Sequence, residues 1–206
     1  MVSPRDDGSL SEMIKASQLL SGEIVLKSLL EKMMPLVMEP AGAERGFLLL
    51  PKERQWFIEA EGVGRQKASI VLQSLPFEDN RLVSAGIVSL VARSRHPVLL
   101  ENALVEGPFT KDDHIVQNQV QSVFCAPLIH QEQLMGILYL ENNSTVGAFT
   151  PDRLQVLKIL FAQAAISLKN ARLCARLSEK VHERTAELTK VKEQLLSLMA
   201  RTSSRP

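Results

Sequence analysis

Apolar positions recur every three or four residues near both ends of the chain. Between them lie short β-like runs and one further helical stretch, so helices are predicted to bracket a sheet. From Ser9 to about Glu39, Leu10, Met13, Ile14, Leu20, Ile24, Leu26, Leu29, Leu30, Met33 and Leu36 form one helical stripe. Ser9 or Ser11 supplies its cap, Gly22 loosens it, and the run EPAGAERG with Pro40, Gly42 and Gly46 ends it. Two short runs follow, Phe47 to Leu50 and Trp56 to Ala60, bridged by the charged turn Pro51 to Gln55, which predicts a hairpin. A third strand is expected over Ala68 to Leu75, before Pro76.

The next segment is expected to be a helix capped by Asp79 or Asn80, with Leu82, Val83, Ile87, Val88, Leu90 and Val91 on one face. A short strand follows Pro97, and EGPFTKDDHIVQNQ reads as an irregular loop with one short helix from Thr110. Irregular segments on a rigid scaffold are where binding surfaces usually lie. Gln121 to Ile129 and Leu134 to Glu141 are predicted strands joined at His130 to Gln133, and the unbroken apolar run LMGILYL predicts burial on both faces. Within it, Gly136 signals a bulge or the close approach of another backbone.

Thr150, Pro151 and Asp152 make the clearest helix start in the chain: a capping hydroxyl, a proline at the first position and an acid against the dipole. Leu154, Leu157, Leu160, Phe161, Ala164 and Leu168 carry its apolar face, and neither glycine nor proline interrupts the sequence from Asp152 to Arg205. Beyond Leu173 the pattern becomes a heptad. Cys174, Val181, Leu188 and Leu195 form one series, and Leu177, Arg184, Val191 and Leu198 the other. A lone helix exposing such a seam is poorly stable in water, so a homodimer is expected, with Leu173, Leu177, Val181, Leu188, Val191, Leu195 and Leu198 at its interface.

Composition narrows the function classes. The 206 residues carry 24 Lys and Arg against 23 Asp and Glu, a net charge of +1, which offers no field for steering onto nucleic acid or an anionic membrane. One Trp and one Tyr leave too few rings for a base-stacking platform. No apolar run approaches the length that spans a bilayer, and MVSPRDDGSL lacks the pattern of a signal peptide, so a cytoplasmic protein is expected. Cys125 and Cys174 stand far apart and encode neither a disulfide framework nor a zinc site.

The run SVFCAPLIHQEQLMGILYLENNSTVGAFTPDRLQVLKILFAQAAISLKNARL resembles the second half of a GAF domain of the kind attached to bacterial sensor kinases, including serine/threonine and histidine kinase hybrids. KASQLLSGEIVLKSLLEKMM, AGAERGFLLL, SLVARSRHPVLLENA and GPFTKDDHI are similar to its first half, in the same order, and LSEKVHERTAEL is similar to the signalling linker that follows such domains. The resemblance implies an α+β fold: a central antiparallel sheet of about six strands, with the N- and C-terminal helices packed together on one face and a long coiled-coil helix beyond. The expected organisation is a flexible start over residues 1–8, a GAF domain over 9–173, a coiled-coil signalling helix over 174–200 and a disordered tail over 201–206.

The resemblance also implies a pocket on the opposite face, under irregular helices and loops, in those members that bind a small molecule. Here it would be lined by Phe77, Arg81 and Ser84, by Phe109, Asp113 and His114 of the covering segment, and by Ser122 and Phe124 of the neighbouring strand. Bilin attachment in this family uses a cysteine commonly followed by histidine, and no such pair occurs; the dispersed Asn-Lys-Phe-Asp-Glu signature of cyclic nucleotide binders is not assembled either. No histidine pair has metal-ligand spacing, so neither a cofactor nor a metal is expected. His182 opens HERTAEL, which is similar to the phosphoacceptor motif of histidine kinases but has Ala186 in place of proline, and no phosphoacceptor role is assigned to it.

The expected function is a non-catalytic sensory module that passes ligand or partner binding along its terminal helix to a kinase or other output domain. Two alternatives stand beside it. One is a structural dimerisation module whose pocket is filled by its own side chains. The other is a redox enzyme resembling the free methionine sulfoxide reductases and using Cys125, although no basic neighbour in sequence would activate that thiol and a buried small hydrophobe is the plainer role.

Overall fold

The computed structural model describes residues 26–53, 55–64, 69–78 and 80–203. The expected helical stripe from Ser9 to Ile24 lies outside the described residues, so α1 is described over Leu26–Ala41 alone. Its apolar spacing buries Leu29, Leu30, Met33, Met34, Val37, Met38 and Ala41 on one side. That burial carries the helix through Pro35, which has no N–H to donate back to the preceding turn.

Six strands form one antiparallel sheet in the order β3-β2-β1-β6-β5-β4: β1 Arg45–Lys52, β2 Gln55–Val63, β3 Ser69–Pro76, β4 Val98–Leu100, β5 Ser122–His130 and β6 Gln133–Asn142. The two hairpins read from the sequence pair as Arg45 with Val63 and as Ser122 with Asn142. Strand β1 joins them by pairing with β6, Leu49 opposite Ile137. At Gly136 the reason for glycine is close approach: a Cβ there would stand 3.0 Å from the Leu49 carbonyl and 2.8 Å from the Leu50 side chain.

The alternation of a strand sorts neighbouring residues onto opposite faces. Leu48, Leu50, Phe124, Ala126, Leu128, Leu138 and Leu140 meet α1 and the first half of the last helix on one face. Phe47, Leu49, Val123, Cys125, Ile137 and Tyr139 meet the covering helices on the other. Burial on both faces is what the unbroken apolar run of β6 encodes.

The middle helix α2 runs over Ala85–Ser94, starting later than its apolar pattern predicts. Ser84 rather than Asp79 or Asn80 is its cap, with Oγ accepting from the Ile87 N–H at 3.3 Å. Asn80 instead closes a local turn, accepting from the Leu82 N–H at 3.1 Å, the competing use that keeps such residues outside helices. A single turn at Gly107–Phe109 and the short helix α3, Asp113–Gln117 capped by Asp112, form the segment expected to be irregular.

From Pro151 a single helix, α4, continues for 53 residues to Ser203. It takes in residues 201–203, expected to belong to a disordered tail, because no helix breaker precedes Pro206; residues 204–206 lie outside the described set. Leu157, Leu160, Ala164, Ala165, Leu168 and Ala171 are buried against the sheet and α1.

Candidate functional site

Helices α2 and α3 cover the sheet face where the sequence places a pocket. Their N-termini are tied together by one carboxylate: Asp112 Oδ1 accepts from the His114 N–H at 3.0 Å, while Oδ2 accepts from Ser84 Oγ at 2.7 Å. Since Ser84 also caps α2, the clasp fixes both helix starts against each other.

His114 turns inward from this clasp and is buried. Its Nδ1 lies 3.0 Å from the Arg81 carbonyl and its Nε2 lies 2.7 Å from Glu141 Oε2. Nδ1 also lies 3.2 Å from Asn118 Nδ2, so the ring is held by contacts to Arg81, Asn118 and Glu141. Glu141 is fully buried near the end of β6; its Oε1 accepts from Arg45 Nη1 at 3.2 Å, and Arg45 Nη2 reaches Glu61 at 2.9 Å. A buried carboxylate held between a guanidinium and an imidazole is paired on both oxygens, the condition under which a charge is tolerated inside.

Tyr139 stands next to this chain of charges, with ring centroids 6.1 Å from His114 and 6.2 Å from Phe47. Among the described residues its hydroxyl has no hydrogen-bond partner; the Ser84 backbone lies close by without meeting hydrogen-bond geometry. Burial, reinforced by the Glu141 carboxylate, pushes the phenol well above its ordinary value. Cys125 is fully buried in the same layer, and burial pushes its thiol far up, away from the reactive thiolate.

The residues singled out from the sequence divide between two places. Phe77, Ser84 and His114 are buried beneath the covering segment, and Phe109 is half-buried against the same cluster. Arg81 contributes its carbonyl while its side chain faces solvent, and Asp113 is exposed, the clasping role falling to Asp112. Ser122 and Phe124 point to the other face. Ser122 Oγ lies 2.7 Å from the Thr145 carbonyl and accepts from the Ala148 N–H, and Phe124 stacks on Phe161 at 5.9 Å. Even-numbered positions of β5 face α4, so these two cannot line a site beneath α3.

Sequence reasoning missed Arg45, Asp112, Tyr139 and Glu141. A signal for Glu141 was available: it stands two residues beyond Tyr139 and four beyond Ile137, so strict alternation places its carboxylate on the covered face. The covered face is filled by Phe47, Tyr139, Ile87, Val88 and Val91. An apolar groove of about 480 Å³ lies on the opposite side of β5, lined chiefly by Leu99, Phe124, Ile129, Leu154 and Phe161. Among the described residues no group of His, Cys, Asp and Glu could hold a metal ion, and no helix is long and apolar enough to cross a membrane.

Beyond Ala171, Cys174 is half-buried and the other apolar heptad positions with described side chains are exposed. Leu173, Val181 and Leu188 are 53%, 62% and 70% exposed, and Leu177 and Val191 are exposed with them. The remaining heptad positions, Leu195 and Leu198, lie where no side chain is described.

The profile of the GAF domain matches residues 26–168. The hybrid signal transduction histidine kinase G of Dictyostelium discoideum is 29% identical over 127 residues, which cover 59% of this chain and 4% of that protein. The peroxide stress-activated histidine kinase mak3 of Schizosaccharomyces pombe is 23% identical over 198 residues, covering 95% of this chain and 8% of its own. The chain therefore spans less than a tenth of the length of these curated relatives. Among solved structures, the GAF domain of an Acinetobacter phosphoenolpyruvate-protein phosphotransferase has a TM-score of 0.61 at 20% identity, covering 82% of this chain and 96% of that one. A free methionine-R-sulfoxide reductase from Neisseria meningitidis, solved with its substrate, has a TM-score of 0.59 at 13% identity, covering 84% and 95%. At these identities the structural likeness shows the fold.

Proposed function

From the premise that this chain belongs to the GAF domain family, we propose that it is the sensory module of a histidine kinase signalling system, homodimeric through α4 and acting through that helix on a kinase or other output domain. Its similarity to stretches of two histidine kinases supports the class. The observation that carries the relay is the continuity of α4: one uninterrupted helix has Leu157, Leu160 and Leu168 in the domain core and Leu177, Val181 and Leu188 on an exposed seam. Any change in how the core holds the first part displaces the second, about 45 Å of helix beyond residue 173 at 1.5 Å per residue.

A ligand or partner acts in this reading by favouring one of two arrangements of the paired helices, which demands different affinity for the two. The module works in the cytoplasm, in keeping with two free thiols. Catalysis is not part of the proposal. The fold is shared with a reductase, but the buried, protonated thiol of Cys125 is unsuited to redox attack.

A second reading, a dimerisation module without a ligand, is favoured by the filled face beneath α3. Native mass spectrometry of the full chain separates the possibilities. A dimer with a reproducible added mass supports the sensor, a bare dimer supports the second reading, and a monomer at micromolar concentration removes both.

A further inference from the structure

A cavity of about 540 Å³ lies where α4 leaves the sheet, on the side away from the His114 clasp and outside every residue considered above as a ligand contact. Four cations border it: Arg95 at the end of α2, and Lys169, Arg172 and Arg176 on successive turns of α4. Among the described residues Glu132 is the only carboxylate in the lining, and Leu134, Met135 and Leu173 provide its apolar wall.

The cations are held in place by neutral oxygens. Arg95 Nη1 donates to the Glu132 carbonyl at 2.8 Å, Lys169 Nζ to Gln131 Oε1 at 2.7 Å, and Arg172 Nη2 to the Pro51 carbonyl at 3.2 Å. None of these bonds neutralises charge, and among the described residues Arg176 has no hydrogen bond or ion pair. Burial, with Arg176 repelling from the next turn, pulls the Arg172 guanidinium below its ordinary value, opposed by Glu59. Four cations gathered in a concavity against the single lining carboxylate of Glu132 leave an excess of positive charge that an entering anion would offset.

The backbone around the cavity is also unusual. Arg95, Gln131 and Glu132 have φ of 57°, 47° and 63°, a left-handed conformation that side chains other than Gly, Asn and Asp seldom adopt. This geometry brings the β5–β6 turn to the end of α2, so that the Glu132 carbonyl anchors Arg95 beside Lys169 and Arg172.

We propose that this cavity binds a small, multiply charged phosphate-bearing anion, with Arg95, Lys169 and Arg176 as its principal contacts and Arg172 as the cation at its inner wall. Guanidinium forks match phosphate oxygens two at a time, and a concavity of this size suits a small molecule rather than an extended chain. Bound there, the anion cross-links the β5–β6 turn and α2 to the helix between buried Ala171 and exposed Leu173. It therefore stiffens the exit of α4. Binding itself does not depend on the signalling role proposed above.

The test is calorimetric titration of the full chain with tripolyphosphate at about 0.15 M salt, where diffuse surface attraction is screened beyond about 8 Å. The expected result is one site per chain, weakened at least tenfold by Lys169→Gln and by the Arg95→Gln/Arg176→Gln pair. Lys190→Gln/Lys192→Gln, farther along the same helix, is expected to leave binding unchanged. These side chains are exposed or half-exposed, and circular dichroism confirms that the variants fold. No measurable binding by the parent chain, or an equal loss in the Lys190/Lys192 variant, would overturn the assignment.

Discussion

The two faces of one sheet are built on different principles. The face under α1 and α4 is closed by aliphatic and aromatic packing, with Leu48, Leu128, Leu138 and Leu140 against Leu157, Leu160 and Leu168. The face under α2 and α3 combines an apolar centre with a partly buried polar chain at its margin, running from Glu61 through Arg45 and Glu141 to His114. Apolar packing is non-directional and tolerates small adjustments, whereas a buried carboxylate must keep its partners at hydrogen-bond distance. The second face therefore fixes where the covering segment sits.

The largest effect is expected from breaking the ionic chain. Glu141→Leu strands the buried imidazole and leaves Arg45 with Glu61 alone, and should lower unfolding free energy by about 3–5 kcal/mol in urea titration. The double variant Glu141→Leu/His114→Leu should recover part of that loss, since it removes the orphaned partner as well. If both unfold at the parent midpoint, the ionic chain contributes nothing to stability and the contrast between the faces fails.

On the apolar face, Leu168→Ala should cost about 2–5 kcal/mol by the same measurement, because it opens a cavity between helix and sheet. Ser84→Ala comes next, at about 1–2 kcal/mol, from the lost cap of α2 and the lost bond to Asp112. Far along α4, Leu188→Arg should leave domain unfolding nearly unchanged while halving the mass measured by light scattering, a split that only an intermolecular seam produces. The smallest change concerns the thiols. Half-buried Cys174 should react readily with a disulfide reagent, and Cys125 only at the rate of unfolding, since burial keeps it protonated.

Much of the architecture could be read from spacing alone. The start of α4 at Thr150-Pro151-Asp152, the β5–β6 hairpin and the two-faced burial of LMGILYL each follow from local rules that the folded protein keeps. The cap of α2 was misplaced by the sequence pattern because Asn80 and Ser84 compete for the same local role. Only the clasp between Ser84 and Asp112, separated by 28 positions, decides between them.

The site was less legible than the fold. His114 was recognisable as an unusual residue, but its partner Glu141 lies 27 positions away and Arg45 a further 96 from that carboxylate. Ser122 and Phe124 were expected beneath the covering segment, and their place on the opposite face follows from the phase of β5 in the sheet. Periodicity fixes that neighbouring residues face opposite ways, but not which way either faces.

Local pattern thus determined the elements, their order and the apolar stripe on α4, because these depend on residues three or four apart in a helix and two apart in a strand. Tertiary structure decided strand order, the face each strand presents, the pairing of Glu141 with Arg45 and His114, and the gathering of Arg95 with Lys169, Arg172 and Arg176. Such meetings depend on where the chain returns to itself, and electrostatic and packing energies act only once those distances have closed.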